Sequence, residues 1–174
     1  MSLLLLCTGV ALFALALTAF NLSVWPRGSA AGAPALSRVS ILIPARNEAR
    51  GIEACVRAAR ATGALEVAVC DDGSADQTPL ILRRLAAELP RLRIVTTTTT
   101  LTAGWVGKAR ACALLHEQAA GDSFFFVDAD VELAADALER LAGVVDGYGA
   151  DVVTGCRGSR WVRCSISWCC RSCT

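Results

Sequence analysis

Between Val39 and Thr154 the sequence repeats one pattern: a short apolar run, a polar cluster, then a stretch with helical spacing. Val39 to Ile43 is β-branched and stops at Pro44, and Ile52, Val56 and Ala59 follow at helical spacing. Glu66 to Cys70 is a second run, closed by Asp71-Asp72-Gly73-Ser74. Thr78-Pro79 reads as an N-cap with proline at the first helical position, and Ile81, Leu82, Leu85 and Leu89 mark the helix behind it. Leu92 to Thr96 is a third strand, and an alanine-rich helix is predicted from about Gly107 to Ala120. Ser123 to Val127 is a fourth strand, apolar after its first residue. Leu138, Leu141, Ala142 and Val145 give another helix, and Asp151 to Thr154 a last strand. Strands alternating with helices in this way fold as βαβ units around a parallel sheet. The chain is therefore expected to be α/β, with a mostly parallel sheet and its ligands outside the carboxyl ends of the strands. The polar clusters lie at those ends.

The chain is 54% hydrophobic with a mean hydropathy of +0.48. Part of that excess sits in residues 3–25, from Leu3 to Trp25, which carry no charge. At about 1.5 Å per helical residue such a run crosses a hydrocarbon core of about 30 Å. A cleaved signal peptide would have a basic start and a shorter apolar core, whereas only Met1 and Ser2 precede this one. The segment is read as one transmembrane anchor in the lipid bilayer. Arg27 and Arg38 follow it, and the positive-inside rule then places the rest of a single-pass chain in the cytoplasm. Residues 26–38 are small and rich in Pro and Gly, and read as a linker. A net charge of +1 argues against a nucleic-acid partner.

Four clusters carry chemistry. Asp71-Asp72-Gly73-Ser74-Ala75-Asp76 is either an Asp/Gly turn or a pair of carboxylates able to accept from ribose hydroxyls or a base N–H. Asp128-Ala129-Asp130 follows the apolar strand; alternation puts both acids on one side if the chain stays extended. Such a pair suits Mg²⁺ or Mn²⁺, with diphosphate and water completing the shell, unless it is only a turn leading to a helix. Gly104-Trp105-Val106-Gly107-Lys108 contains the single lysine among seventeen basic residues. A compact ammonium suits a phosphate, and a helix beginning at Gly107 favours anions in any case. In Pro44-Ala45-Arg46-Asn47-Glu48, Asn47 reads equally as an N-cap and Glu48 as a first-turn acid.

In this order the stretches VSILIPARNEA, CDDGSADQT, GWVGKARA and FFFVDADVEL resemble family 2 glycosyltransferases, over about Val39 to Gly155. With the N-terminal anchor, the chain looks most like the membrane-bound members associated with hopanoid or carotenoid glycosylation. The resemblance implies a Rossmann-like GT-A nucleotide-binding half over residues 39–155. It implies that Pro44, Asn47, Glu48, Asp71 and Asp72 line the nucleotide pocket, and that Lys108 lies near the donor. It also implies that Asp128 and Asp130 are a DxD pair holding a divalent metal on the diphosphate of a nucleotide-diphosphate sugar, a UDP-sugar first. The acceptor would be a lipid or another membrane-associated hydroxyl.

The general base of that family is an aspartate in a later segment, often followed by Q-x-x-R-W. This sequence has no acid after Asp151, and Arg160-Trp161 lacks the glutamine. The chain is therefore expected to be an incomplete copy with its catalytic base missing, or a catalytically inactive nucleotide-binding fragment. Residues 156–174 carry four arginines and five of the nine cysteines, without hydrophobic period. They read as an atypical tail produced by a frameshift. Cys170-x-x-Cys173 is half a zinc site with no second pair at the right spacing. A haloacid-dehalogenase-like phosphatase would have threonine where Glu132 stands, and a nucleotidyltransferase would have a glycine-rich loop where PARNEA stands.

Overall fold

A computed structural model of the chain describes residues 2–24, 38–97, 107–148, 152–155 and 166–170. Helix α1 spans Ser2–Val24. It is followed by β1 (Val39–Ala45), α2 (Ile52–Ala61), β2 (Glu66–Asp71), α3 (Thr78–Glu88), β3 (Leu92–Thr96) and α4 (Gly107–Gln118). Then come β4 (Ser123–Val127), α5 (Ala137–Tyr148), β5 (Val152–Gly155) and β6 (Ile166–Cys170). The strands form one sheet in the order β3-β2-β1-β4-β6-β5. β3, β2, β1 and β4 are mutually parallel, as the strand–helix alternation predicts. β6 runs antiparallel to both β4 and β5.

Period-2 alternation in the strands builds a core on each face of the sheet. Ile41, Ile43, Val67, Val69, Phe125 and Val127 point to one face and pack with Ile52, Leu82, Leu85, Leu138 and Leu141 of α2, α3 and α5. Leu42, Ala68, Cys70 and Phe124 point to the other, under Ala111 and Leu115 of α4. The chain runs outward from β1 through β2 to β3, then returns to lay β4 on β1's other side. The sheet thus reverses its winding between β1 and β4, the place where doubly wound folds open a ligand crevice.

Pro44 does not end β1; the strand continues to Ala45, with Pro44 in register with Cys70. Val39 and Ala45 accept from Leu65 and Asp72 on the β2 side. Pro44, out of phase with them, therefore turns its backbone toward β4. The pairing with β4 ends at Leu42, so no ladder bond is lost for want of the proline N–H.

The start of α3 is shifted by one residue from the sequence reading. Gln77 is the N-cap, without a side-chain capping bond, and Thr78 is already helical with its hydroxyl turned elsewhere. The tail also departs from expectation: residues 166–170 supply β6, inserted between β4 and β5. Of the tail, residues 156–165 and 171–174 lie outside the described residues, as do Trp25, most of the 26–38 linker and Gly104-Trp105-Val106.

Among the described residues α1 is the one helix long and apolar enough to cross a membrane, with a mean hydropathy of 2.1 over Leu5–Val24. Two of its polar side chains bond back to the helix. The Thr18 hydroxyl donates to the Ala14 carbonyl at 2.8 Å, and Ser23 donates to Phe20 at 2.7 Å.

Candidate functional site

A cleft of about 430 Å³ opens at the carboxyl ends of β1, β2 and β4. Pro44, Ala45, Arg46 and Glu48 form its floor and one rim, and Asp72 enters from β2. Gly107, Lys108 and Ala111 of α4 form one wall; Asp128, Ala129 and Asp130, after β4, form the other. Six of the eight residues singled out in the sequence therefore line one cavity: Pro44, Glu48, Asp72, Lys108, Asp128 and Asp130. Asn47 and Asp71 do not.

Those two fasten the loops that carry the rest. Asn47 has φ 58°, a left-handed conformation that asparagine tolerates better than most residues. It is not a helix cap: α2 begins at Ile52, with Gly51 as N-cap. Its side-chain oxygen accepts from Ala75 N–H at 2.8 Å, and its own N–H donates to Ser74 Oγ at 2.9 Å. Glu48 N–H donates to Thr78 Oγ1 at 2.9 Å, and Ala49 N–H to Asp76 Oδ2 at 3.1 Å. Asp71 is 4% exposed and accepts from Ser74 N–H at 3.0 Å, closing the turn that Gly73 makes at φ 70°. The PARNEA and DDGSADQT loops are thus stitched to each other.

Asp72 reaches the cleft with most of its carboxylate engaged. Oδ1 accepts from Arg110 at 2.5 Å and from Thr97 Oγ1 at 3.0 Å, and Arg46 stands 3.9 Å from Oδ2. Burial acts to raise its pKa, but the hydrogen bonds from Arg110 and Thr97 and the charges of Arg110 and Arg46 outweigh it and hold the carboxyl below its usual value. A Cβ on Gly107 would lie 2.5 Å from Asp72 Oδ2, so only glycine lets α4 begin against this carboxylate. Asp72 thereby ties the first turn of α4, and Lys108 with it, to the end of β2.

Asp128 and Asp130 meet in the cleft by a route other than the extended chain expected. Val131 N–H donates to the Asp128 carbonyl at 3.0 Å, which makes residues 128–131 a turn. Ala129 and Val131 are buried, and the two acids face the cavity. The Lys108 ammonium lies 2.6 Å from Asp128 Oδ1. This bond, against a smaller cost of desolvation, raises the Lys108 pKa, so the ammonium is charged at neutral pH. Burial, then the charges of Asp130, Asp76 and Asp128, raise the Glu48 pKa, with Lys108 opposing. Behind the turn, burial and the nearby acids push the Cys55 thiol up to about 12. Among the described residues no three His, Cys, Asp or Glu side chains are grouped to hold a metal ion. Four carboxylates line the cleft; Asp72 is engaged by Arg110, while Asp128 and Asp130 on one turn fit a hard divalent cation whose remaining ligands are phosphate and water oxygens.

Arg46 and Arg110 escaped the sequence reading. Their shared partner, Asp72, is 26 residues away in one case and 38 in the other, and no local pattern announces such a pairing. His116 packs edge-on against Phe124 with ring centroids 4.5 Å apart.

The crevice at the switch point of a doubly wound sheet is where such α/β folds take their ligands. The chain matches the family model "glycosyl transferase family 2" over residues 40–161 and belongs to that family. It is 37% identical to glycosyltransferase AglD of Haloferax volcanii over 143 residues, covering 78% of this chain and 22% of that protein. It is 30% identical to 4,4'-diaponeurosporenoate glycosyltransferase of Staphylococcus haemolyticus, covering 67% of this chain and 30% of the relative. The fold is that of the GT-A glycosyltransferases. It resembles the mannosyltransferase of Pyrobaculum calidifontis in complex with GDP-Man and Mn²⁺, with a TM-score of 0.63 and 26% identity over 80% of this chain and 41% of that one. The chain spans less than a third of the length of the two curated relatives.

Proposed function

We propose that this chain forms the donor side of a membrane-anchored glycosyltransferase that holds a nucleotide-diphosphate sugar in the β1–β2–β4 cleft. The observation that carries the reading is the convergence of Lys108, Asp128, Asp130 and Glu48 on one cavity at the switch point. The nucleoside lies over Pro44, Ala45 and Asp72, and the diphosphate between Lys108 and the Asp128–Asp130 turn. The lysine offers a point charge to the phosphates, and the N-terminus of α4 adds its partial positive charge. Asp128 and Asp130 would hold Mg²⁺ or Mn²⁺. When bound, that ion supplies Lewis-acid stabilisation of the departing diphosphate. Asn47 and Asp71 serve the donor indirectly, by fixing the loops that bear Glu48 and Asp72. The anchor is α1, with the cleft on the cytoplasmic side. The acceptor is a lipid or another hydroxyl held at the bilayer, in keeping with α1 and with a relative named for 4,4'-diaponeurosporenoate.

UDP is the first nucleotide to test, and GDP, the nucleotide of the mannosyltransferase neighbour, the second. Calorimetry of the detergent-purified chain should show that Mn²⁺ tightens UDP or GDP binding, and that Asp128→Ala removes the dependence on metal. Equal affinity with and without Mn²⁺ in the unaltered chain would refute the assignment of Asp128 and Asp130. A second reading is binding without transfer. Labelled lipid formed from a radiolabelled UDP-sugar and a membrane extract, and lost in Asp130→Ala, would rule it out.

A further inference from the structure

The Asp128–Asp130 turn rests on the first turn of α2. Ala129 and Val131 are buried and belong to the core cluster that includes Ile52, Cys55 and Val56 of α2. A Cβ built on Gly51 would stand 3.2 Å from the Ala129 carbonyl oxygen and 3.3 Å from Asp130 Cα. Both neighbours are backbone, which yields less readily than the end of a flexible side chain. Gly51 itself has φ −111° and ψ −27°, a conformation open to any residue. A side chain here is constrained by space and not by backbone conformation. One turn further along, the fully buried Cys55 thiol donates to the Asp128 carbonyl at 3.5 Å. Positions 51 and 55 share one helix face, and Cys55 N–H closes the first helical turn on the Gly51 carbonyl at 3.0 Å.

We infer that Gly51 and Cys55 are positioning residues that set, from behind, the spacing and direction of the Asp128 and Asp130 carboxylates. The inference rests on the proposed role of those acids as ligands of a divalent ion beside the donor diphosphate. β4 delivers the chain to the cleft, but the turn leaves the sheet after Val127 and is held by α2 thereafter. Gly51 fixes how closely the turn approaches the helix. Cys55 fixes the Asp128 carbonyl, and through it the direction in which the Asp128 side chain leaves the backbone. Groups that orient metal ligands commonly matter by about 10–100-fold in metal affinity. The weak thiol donor and the small displacement at Gly51 place the expected effect near the lower end, about tenfold.

The test is Mn²⁺ affinity of the 174-residue chain in detergent, measured by calorimetry and by the free-ion electron paramagnetic resonance signal at saturating UDP. UDP affinity without metal and thermal unfolding are measured alongside. Gly51→Ala and Cys55→Ala should each weaken Mn²⁺ about tenfold while leaving metal-free UDP affinity within twofold. Cys55→Ser, which keeps a donor at the same place, should restore most of the loss. A merely structural role would lower the unfolding temperature and both affinities together, with serine no better than alanine, and would overturn the inference. So would Mn²⁺ affinities within twofold of the parent in both alanine variants. Should Cys55→Ala not fold, Gly51→Ala decides alone. Absence of any Mn²⁺-dependent UDP binding in the parent chain would instead refute the donor-site reading, and this inference with it.

Discussion

Replacing Asp72 by asparagine should destabilise the fold and loosen the lysine wall of the cleft together. The Asp72 and Arg110 side chains are only 6% and 16% exposed, and they meet at 2.5 Å. A charge-assisted hydrogen bond of this kind contributes about 1.5–3 kcal/mol, and breaking a fully buried pair costs about 3–5 kcal/mol. Arg46, 59% exposed and 3.9 Å away, adds under about 1 kcal/mol. Asparagine keeps an acceptor for Thr97 but leaves the Arg110 guanidinium facing a neutral amide. A loss of about 2–3 kcal/mol follows, which for a domain near this size lowers Tm by about 10 °C. The pH dependence has a definite sign. The folded Asp72 pKa lies below the ordinary value, so its contribution is present above the unfolded pKa of about 3.9 and is lost as pH falls through the folded pKa. The gap between parent and Asp72→Asn should therefore be full at pH 6 and shrink below about pH 4. Thermal unfolding of the parent, Asp72→Asn, Arg110→Met and the double variant across that range checks both claims. The double variant should lose less than the sum of the singles by at least about 1 kcal/mol, because each single change already removes the Asp72–Arg110 bond. Strict additivity, or a Tm for Asp72→Asn within 2 °C (roughly 0.5 kcal/mol) of the parent, would refute the pairing argument.

Lys108→Ala should weaken UDP about tenfold, the loss of one charge-assisted contact, while uridine affinity stays within about twofold. Equal losses for nucleotide and nucleoside would separate Lys108 from the diphosphate. The chain should sediment with membranes and resist high-salt extraction, whereas a variant lacking residues 2–24 should appear in the soluble fraction. Recovery of the unaltered chain in the soluble fraction would refute the anchor.

The parallel sheet was legible because its strands are short, mostly apolar runs stopped by polar residues. Burial on both faces forces that composition. The cleft was legible to the extent that its residues follow directly on strand ends. Thus Pro44, Asp72, Asp128 and Asp130 were found from position alone, and Lys108 from its being the single lysine. Asn47 and Asp71 carry the same local signal as their neighbours, but the Asn47 side chain accepts from Ala75 in the facing loop, 28 residues away, and Asp71 closes its own turn on Ser74, 3 residues away. Arg46 and Arg110 look like ordinary arginines until Asp72 is placed between them. β6 was not legible either. A strand of Ile166–Cys170 inserted between β4 and β5 depends on long-range pairing, and its composition does not announce which sheet edge it joins.

The site owes its shape to how the helices part around β1. The chain leaves β1 for α2 on one face of the sheet, while α4 packs on the opposite face. Among the described residues no helix covers the end of β1 itself, and Pro44 and Ala45 line the cleft there. Each wall is then held by a contact specific to its own side. α4 is drawn against β2 by the Arg110–Asp72 pair and by a glycine that admits that carboxylate. The Asp128–Asp130 turn is set against α2 by a second glycine and a buried thiol. A Cβ on the first would meet the Asp72 carboxylate, and a Cβ on the second would crowd the backbone of the turn, so both walls stand at close approach. A charged ligand bridging the two walls, positive Lys108 on one and two carboxylates on the other, meets groups whose separation is already fixed. That is the condition under which electrostatic recognition of a diphosphate costs least reorganisation.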